Sequence, residues 1–92
     1  MTEIRLQPIG EHDYGVTVVE GDVVTDHKVR VSEDVLDALA APGTDEERVV
    51  RETIGFLLER KKSTELYEEF DLDTIADQYP DEYIDELRVR LS

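Results

Sequence analysis

Up to Val31 the apolar residues of this 92-residue chain recur at every second position, and from Ser32 they recur every three or four. A period of two belongs to a strand with one buried face, and a period near 3.6 to a helix with one buried stripe. The change of period therefore predicts an α+β fold, a three-stranded antiparallel meander over about 3–31 followed by four or five helices. The strand signals are local. Ile4 and Leu6 share a face before Pro8 and Gly10, and the stretch around His12 reads as a loop. Val16 and Val18 alternate in a second run, and Glu20-Gly21-Asp22 is a tight hairpin connection. In the third run His27, Val29 and Val31 face one way and Asp26, Lys28 and Arg30 the other. With one greasy and one wet face, the sheet must be covered on one side only.

The helical spans predicted from the second pattern are about 33–41, 45–62, 64–70, 73–79 and 81–91. Ser32 is placed to cap the first, whose Val35, Leu36 and Leu39 share a face, and Ala41-Pro42-Gly43 stops it. Thr44 and Glu47 have the spacing of a capping box. The helix they open carries apolar residues from Val49 to Leu58 over a wide arc, roughly 200°, which predicts a central position. Ser63 would cap a third helix bearing Leu66, Tyr67 and Phe70. Asp71-Leu72-Asp73 breaks it, Ile75 and Tyr79 belong to a fourth, and Pro80 opens a last helix with Tyr83, Ile84, Leu87 and Leu91 on one side. With no repeat and no linker, the chain reads as one domain, 1–92.

Charge narrows the function classes. Twenty-four acids against 10 bases give a net charge of −14, and residues 63–92 alone carry 10 acids and 2 bases. Such a surface is repelled by nucleic acid and by anionic membranes. The sequence has no cysteine, no basic apolar leader and no apolar run near membrane length, so a cytoplasmic protein is expected.

The possible sites are few. Asp71, Asp73, Asp77 and Glu82 fall at offsets 1, 3, 7 and 12 of a calcium loop, but Ile75 and Ala76 stand where a ligand and the turn glycine are needed. These acids read as helix caps and solvated charges, and no metal or other cofactor is expected. A helix-turn-helix spacing over 63–79 would present Asp73, Thr74 and Asp77 with no base among them, so direct nucleic-acid binding is not expected. His12 and His27 lack convergent partners. More informative is Gly55, in mid-helix where glycine costs about 0.5–1 kcal/mol relative to alanine. By angular count Arg48, Arg51 and Lys62 surround it, with Arg60 and Lys61 nearby. This edge reads either as a cationic patch for a partner or anion, or as a tight internal contact where the acidic last third folds back onto the bases.

The pieces FLLER (Phe56 to Arg60), FDLDTI (Phe70 to Ile75) and YPDEY (Tyr79 to Tyr83), with HKVRVSED upstream, resemble a family of small conserved prokaryotic proteins of unknown function. The likeness covers most of residues 14–84. It implies a stand-alone domain and brings no activity, cofactor or catalytic residue. The resulting expectation is a non-enzymatic protein-interaction or accessory module, monomer or homodimer, with a protein partner that charge would make basic. Its expected surfaces are the acidic C-terminal helices and the exposed edges of the small sheet, and its candidate interaction residues are Arg48, Arg51, Gly55, Lys62, Asp73 and Asp77. The alternatives are an antitoxin-like or transcription-associated regulator of a basic partner, and a small enzyme or anion binder on the Arg48/Arg51/Lys62 edge.

Overall fold

The structure, a computed structural model, describes residues 2–39 and 46–91. The expected meander is present as β1 (Thr2–Pro8), β2 (Asp13–Glu20) and β3 (Val23–Arg30). Both pairings are antiparallel, with Leu6 opposite Val16 and Val16 opposite His27. Gly21 and Asp22 make the β2–β3 connection, and Gly21 has φ +60°, a conformation that favours glycine because a side chain there would be strained. The faces divide as the alternation requires. Tyr14, Val16, Val18, His27 and Val29 are buried on the inner face, while Asp26, Lys28 and Arg30 are exposed on the outer one.

Among the described residues four helices follow: α1 (Glu33–Leu39), α2 (Glu46–Leu58), α3 (Leu72–Gln78) and α4 (Tyr83–Leu91). α2 packs on β1 and against α4, and α1 packs against α3 and α4. Val49, Val50, Ile54, Phe56 and Leu57 of α2 join the strand valines, Leu72, Ile75, Tyr83 and Leu87 in the core. Each such side chain contributes about 1.5–3 kcal/mol on burial. Tyr83 is buried with its hydroxyl 2.8 Å from Thr53 Oγ1, which also bonds the Val49 carbonyl. Phe56 takes Tyr79 and Tyr83 edge-on at centroid distances of 5.3 and 5.4 Å.

Two expectations fail here. The helix over 64–70 does not form. Ser63–Glu65 is a single 3-10 turn, and Glu69–Asp71 is a fourth strand, β4, parallel to β3 with Phe70 opposite Val29. The turn is held by the Ser63 N–H donating to Glu20 on β2, and the Lys28 N–H donates to the Glu68 carbonyl. Leu66 and Phe70 are buried but Tyr67 is exposed. An extended course satisfies the backbone at the β3 edge and still delivers Phe70 to the core, which a helix could not do together. The second failure is that α2 ends at Leu58 rather than near Lys62. Beyond it the Arg60 and Lys61 amides both turn back to the Leu57 carbonyl, tightening the chain out of the helix. The predicted stop at Ala41-Pro42-Gly43 and the Thr44 cap lie outside the described residues.

Candidate functional site

Two regions hold the candidate residues: the seam between α2 and α4, and the side of the sheet away from the helices. At the seam the basic edge is largely internal. Arg90 of α4 lies across Gly55, where an added Cβ would stand 3.4 Å from Arg90 Nη1. Its guanidinium reaches Glu59 at 2.6 Å, Glu86 at 3.1 Å and Glu52 at 3.8 Å. Arg60 stacks 3.7 Å above the Phe56 ring and bonds the Phe56 carbonyl and the Glu82 and Glu86 carboxylates. Hydrogen bonds from Arg90 and then Arg60 hold the Glu86 carboxyl below its usual range.

The residues expected to flank Gly55 diverge. Arg48 donates to the Arg90 carbonyl at 3.2 Å, and Arg51 donates to the Ile4 carbonyl at 3.3 Å. Lys62 is off α2 altogether, beside the 3-10 turn, in a shallow hollow with Glu20, Val23, Ser63 and Thr64. The angular count that grouped it with Arg48 and Arg51 ceased to apply once the helix stopped at Leu58. The two aspartates also separate. Asp73 accepts the Ser32 hydroxyl at 2.8 Å, tying α3 to the start of α1, whereas Asp77 is exposed on α3. Ser32 stands at the start of α1, its carbonyl accepting the Leu36 N–H at 3.1 Å while its hydroxyl reaches α3. Asp71 is the N-cap of α3, accepting from the Thr74 N–H at 3.0 Å and the Thr74 hydroxyl at 2.9 Å.

Both histidines have structural partners. Buried His27 has Nδ1 2.7 Å from the Tyr67 carbonyl and Nε2 2.8 Å from Thr25 Oγ1. A carbonyl only accepts, so Nδ1 carries the proton and the ring pins β3 to the segment leading into β4. His12, in the β1–β2 loop, has Nδ1 3.1 and 3.2 Å from the two Glu46 carboxylate oxygens at the start of α2. Hydrogen bonding to Glu46, reinforced by its charge, raises the His12 pKa above 6.5.

The far side of the sheet is open. Its ion pairs, Arg5–Glu3 at 2.7 Å, Arg30–Asp13 at 3.3 Å and Lys28–Glu69 at 3.8 Å, are solvent-exposed and each worth about 0–1 kcal/mol. Two shallow hollows of about 430 and 350 Å³ lie here, one lined by Asp13, Lys28, Arg30 and Glu69, the other by Arg5, Gln7, Gly15 and Asp26.

At the margin of this face β1 pairs on one side only. The Ile9 N–H bonds the Asp13 carbonyl, which fixes the phase of the ladder: Glu3, Arg5 and Gln7 turn their backbone groups toward β2. Thr2, Ile4 and Leu6 then turn theirs outward. Among the described residues only the Ile4 carbonyl has a partner there, the guanidinium of Arg51. The edge was legible in the sequence as the end of a meander, but its cover by a residue 47 positions away was not.

Compared with known proteins, the chain matches no family model, no curated protein and no solved structure.

Proposed function

We propose that the chain is a non-enzymatic protein-interaction module that receives another chain along β1. The observation that carries this reading is the outward row of backbone groups at Thr2, Ile4 and Leu6, of which, among the described residues, one carbonyl alone is covered. An unpaired strand edge is a ready template for a further strand: main-chain hydrogen bonds supply affinity and the alternating side chains supply selectivity. Proteins that keep such an edge closed shorten it, bury it or bulge it. Here, among the described residues, a seven-residue strand is blunted by Pro8, the charges of Glu3 and Arg5 and the one Arg51 contact.

The test compares two variants. Ile4→Pro deletes the outward N–H without touching the β1–β2 ladder, while Ile4→Ala removes the half-buried side chain and leaves that N–H in place. Partner capture from lysate is expected to survive Ile4→Ala and to be lost in Ile4→Pro, with circular dichroism confirming that both fold. Equal capture by the wild type and Ile4→Pro would reject the edge as the docking place.

A second reading, a regulator that binds a basic partner in the antitoxin-like or transcription-associated manner, draws support from α1. Its exposed Glu33, Asp34 and Asp37 form no ion pair with a described cation. Capture that weakens steeply with salt and is indifferent to Ile4→Pro would favour it. The anion-binding alternative has less support, because Arg48, Arg51 and Lys62 lie against three different neighbours.

A further inference from the structure

The strand that fits the β1 edge best is β1 itself, and we infer that the partner is a second copy of this chain, paired antiparallel about a two-fold axis through Ile4. The inference rests on the reading of β1 as a docking edge and adds the identity of what docks.

The backbone phase restricts the geometry. Only Thr2, Ile4 and Leu6 offer both an outward N–H and an outward carbonyl, Pro8 having a carbonyl alone, so doubly hydrogen-bonded pairs between two copies must join residues from that set. With Ile4 opposite Ile4, Thr2 pairs with Leu6 of the second copy and Leu6 with its Thr2. The alternate residues lie on the open face. In this register Glu3 stands opposite Arg5 of the second copy, and Arg5 opposite its Glu3. Each copy already holds Glu3 and Arg5 together at 2.7 Å, so pairing would close four charges into one alternating group.

The neighbouring registers are penalised. A slip of one pair toward the start of the strand sets Glu3 opposite Glu3. A slip the other way sets Arg5 opposite Arg5 and brings in Pro8, which has no N–H to give. Charge thus selects the one register in which the ladder is also centred. On the inner face Ile4 and Leu6, half-buried and packed against the core, would each gain a cover of apolar atoms. The resulting dimer is closed, with the same strand used by both copies.

Arg51 acts as a gate on this edge. Its guanidinium bonds the Ile4 carbonyl, the central acceptor of the proposed ladder, and competes for it with the N–H of the second copy. The net charge of −14 on each copy opposes approach, but at an ionic strength of about 0.15 M charges more than roughly 8 Å apart are screened while contact pairs persist.

The experiment is sedimentation equilibrium of the full purified chain at that ionic strength across a wide concentration range. The wild type is expected to show a reversible monomer–dimer equilibrium. E3R and R5E each turn both cross-strand attractions into repulsions, and each should weaken association about tenfold or more. The double variant E3R/R5E should restore it, and so should mixing the two single variants, whose charges are then complementary. Arg51→Ala should tighten association, whereas a residue serving stability alone would lower the unfolding midpoint with no gain in dimer. A wild-type chain that stays monomeric throughout, or association indifferent to the charge swaps, would overturn the inference. The wider docking reading fails separately, through the Ile4→Pro capture comparison.

Discussion

The α2–α4 seam and the β1 edge both carry arginines beside backbone carbonyls, yet they end in opposite conditions. At the seam Arg60 and Arg90 share Glu86, and each reaches further carboxylates, Glu82 for Arg60 and Glu52 for Arg90, above a fully buried Phe56. At the edge, among the described residues, a single guanidinium contact meets one carbonyl in a row of outward backbone groups. The seam is closed because its partners come from elements that the core already holds together. The edge stays open because a terminal strand has a neighbour on one side only. In an acidic chain, then, a concentration of bases marks internal closure. The surface proposed to receive another chain is the one where backbone is unpaired.

The widest gap between the regions should appear in unfolding. Phe56→Ala removes a side chain that carries two edge-on aromatic contacts and the stacked Arg60, and should cost about 3–5 kcal/mol in urea titration. A loss under about 1 kcal/mol would mean that the seam does not hold the helices to each other.

Within the seam, Thr53→Val strands the Tyr83 hydroxyl. Burial raises the pKa of that phenol and the Thr53 hydrogen bond partly offsets the shift. Leaving it without a partner should cost about 1–3 kcal/mol by the same titration. Arg90→Ala should fall in the same range, because it frees three carboxylates that now share one cation. Proline substitutions sharpen the contrast at the edge. Arg5→Pro breaks the ladder with Thr17 and should destabilise by at least about 1 kcal/mol more than Thr2→Pro, whose N–H points outward. Equal costs would show that the phase of the edge is wrong.

The same contrast explains what the sequence could and could not disclose. β1 to β3 were readable because each carries its own alternation and Gly21-Asp22 marks one turn. β4 was not, because a three-residue strand shows only Phe70 between two acids, and its neighbours Leu66 and Tyr67 imitate helical spacing. Gly55 was readable as an anomaly but not as a contact, since the side chain across it comes from position 90. Lys62 was grouped with Arg48 and Arg51 by a helical count that a tightened last turn cut short. Local periods reach the sequence directly, whereas pairings between distant residues do not.

Gly55→Ala tests that contact at smaller scale. The added methyl would meet Arg90 Nη1 at an ordinary van der Waals distance, and the tip of a long side chain can shift. The helix-propensity gain should therefore survive, stabilising the chain by about 0.5–1 kcal/mol. A net loss would show that Arg90 is held too firmly by Glu59 and Glu86 to yield.

His12 and Glu46 join the loop after the edge strand to the first residue of the seam helix, so this contact couples the two regions and does so with a group that titrates near neutrality. Glu46 raises the His12 pKa above 6.5, first through the hydrogen bond and then through its charge, with Glu11 and Glu33 adding smaller contributions. A raised cationic pKa means that the folded chain holds the proton more tightly than the unfolded one. The stabilisation is therefore fully present below pH 6.5 and fades as pH rises through the folded value. The pair is only half-buried, so the effect on stability is the smallest of these and is best read site by site. A proton-detected titration of the His12 ring should give a midpoint above 6.5 that falls back toward 6.5 in Glu46→Gln. The test also separates the regions. If the β1–β2 loop is tied to α2 chiefly by this contact, deprotonation should speed amide exchange around His12 while leaving Phe56 and Tyr83 unchanged. A midpoint indifferent to Glu46→Gln would show that the loop and the helix are not coupled through it.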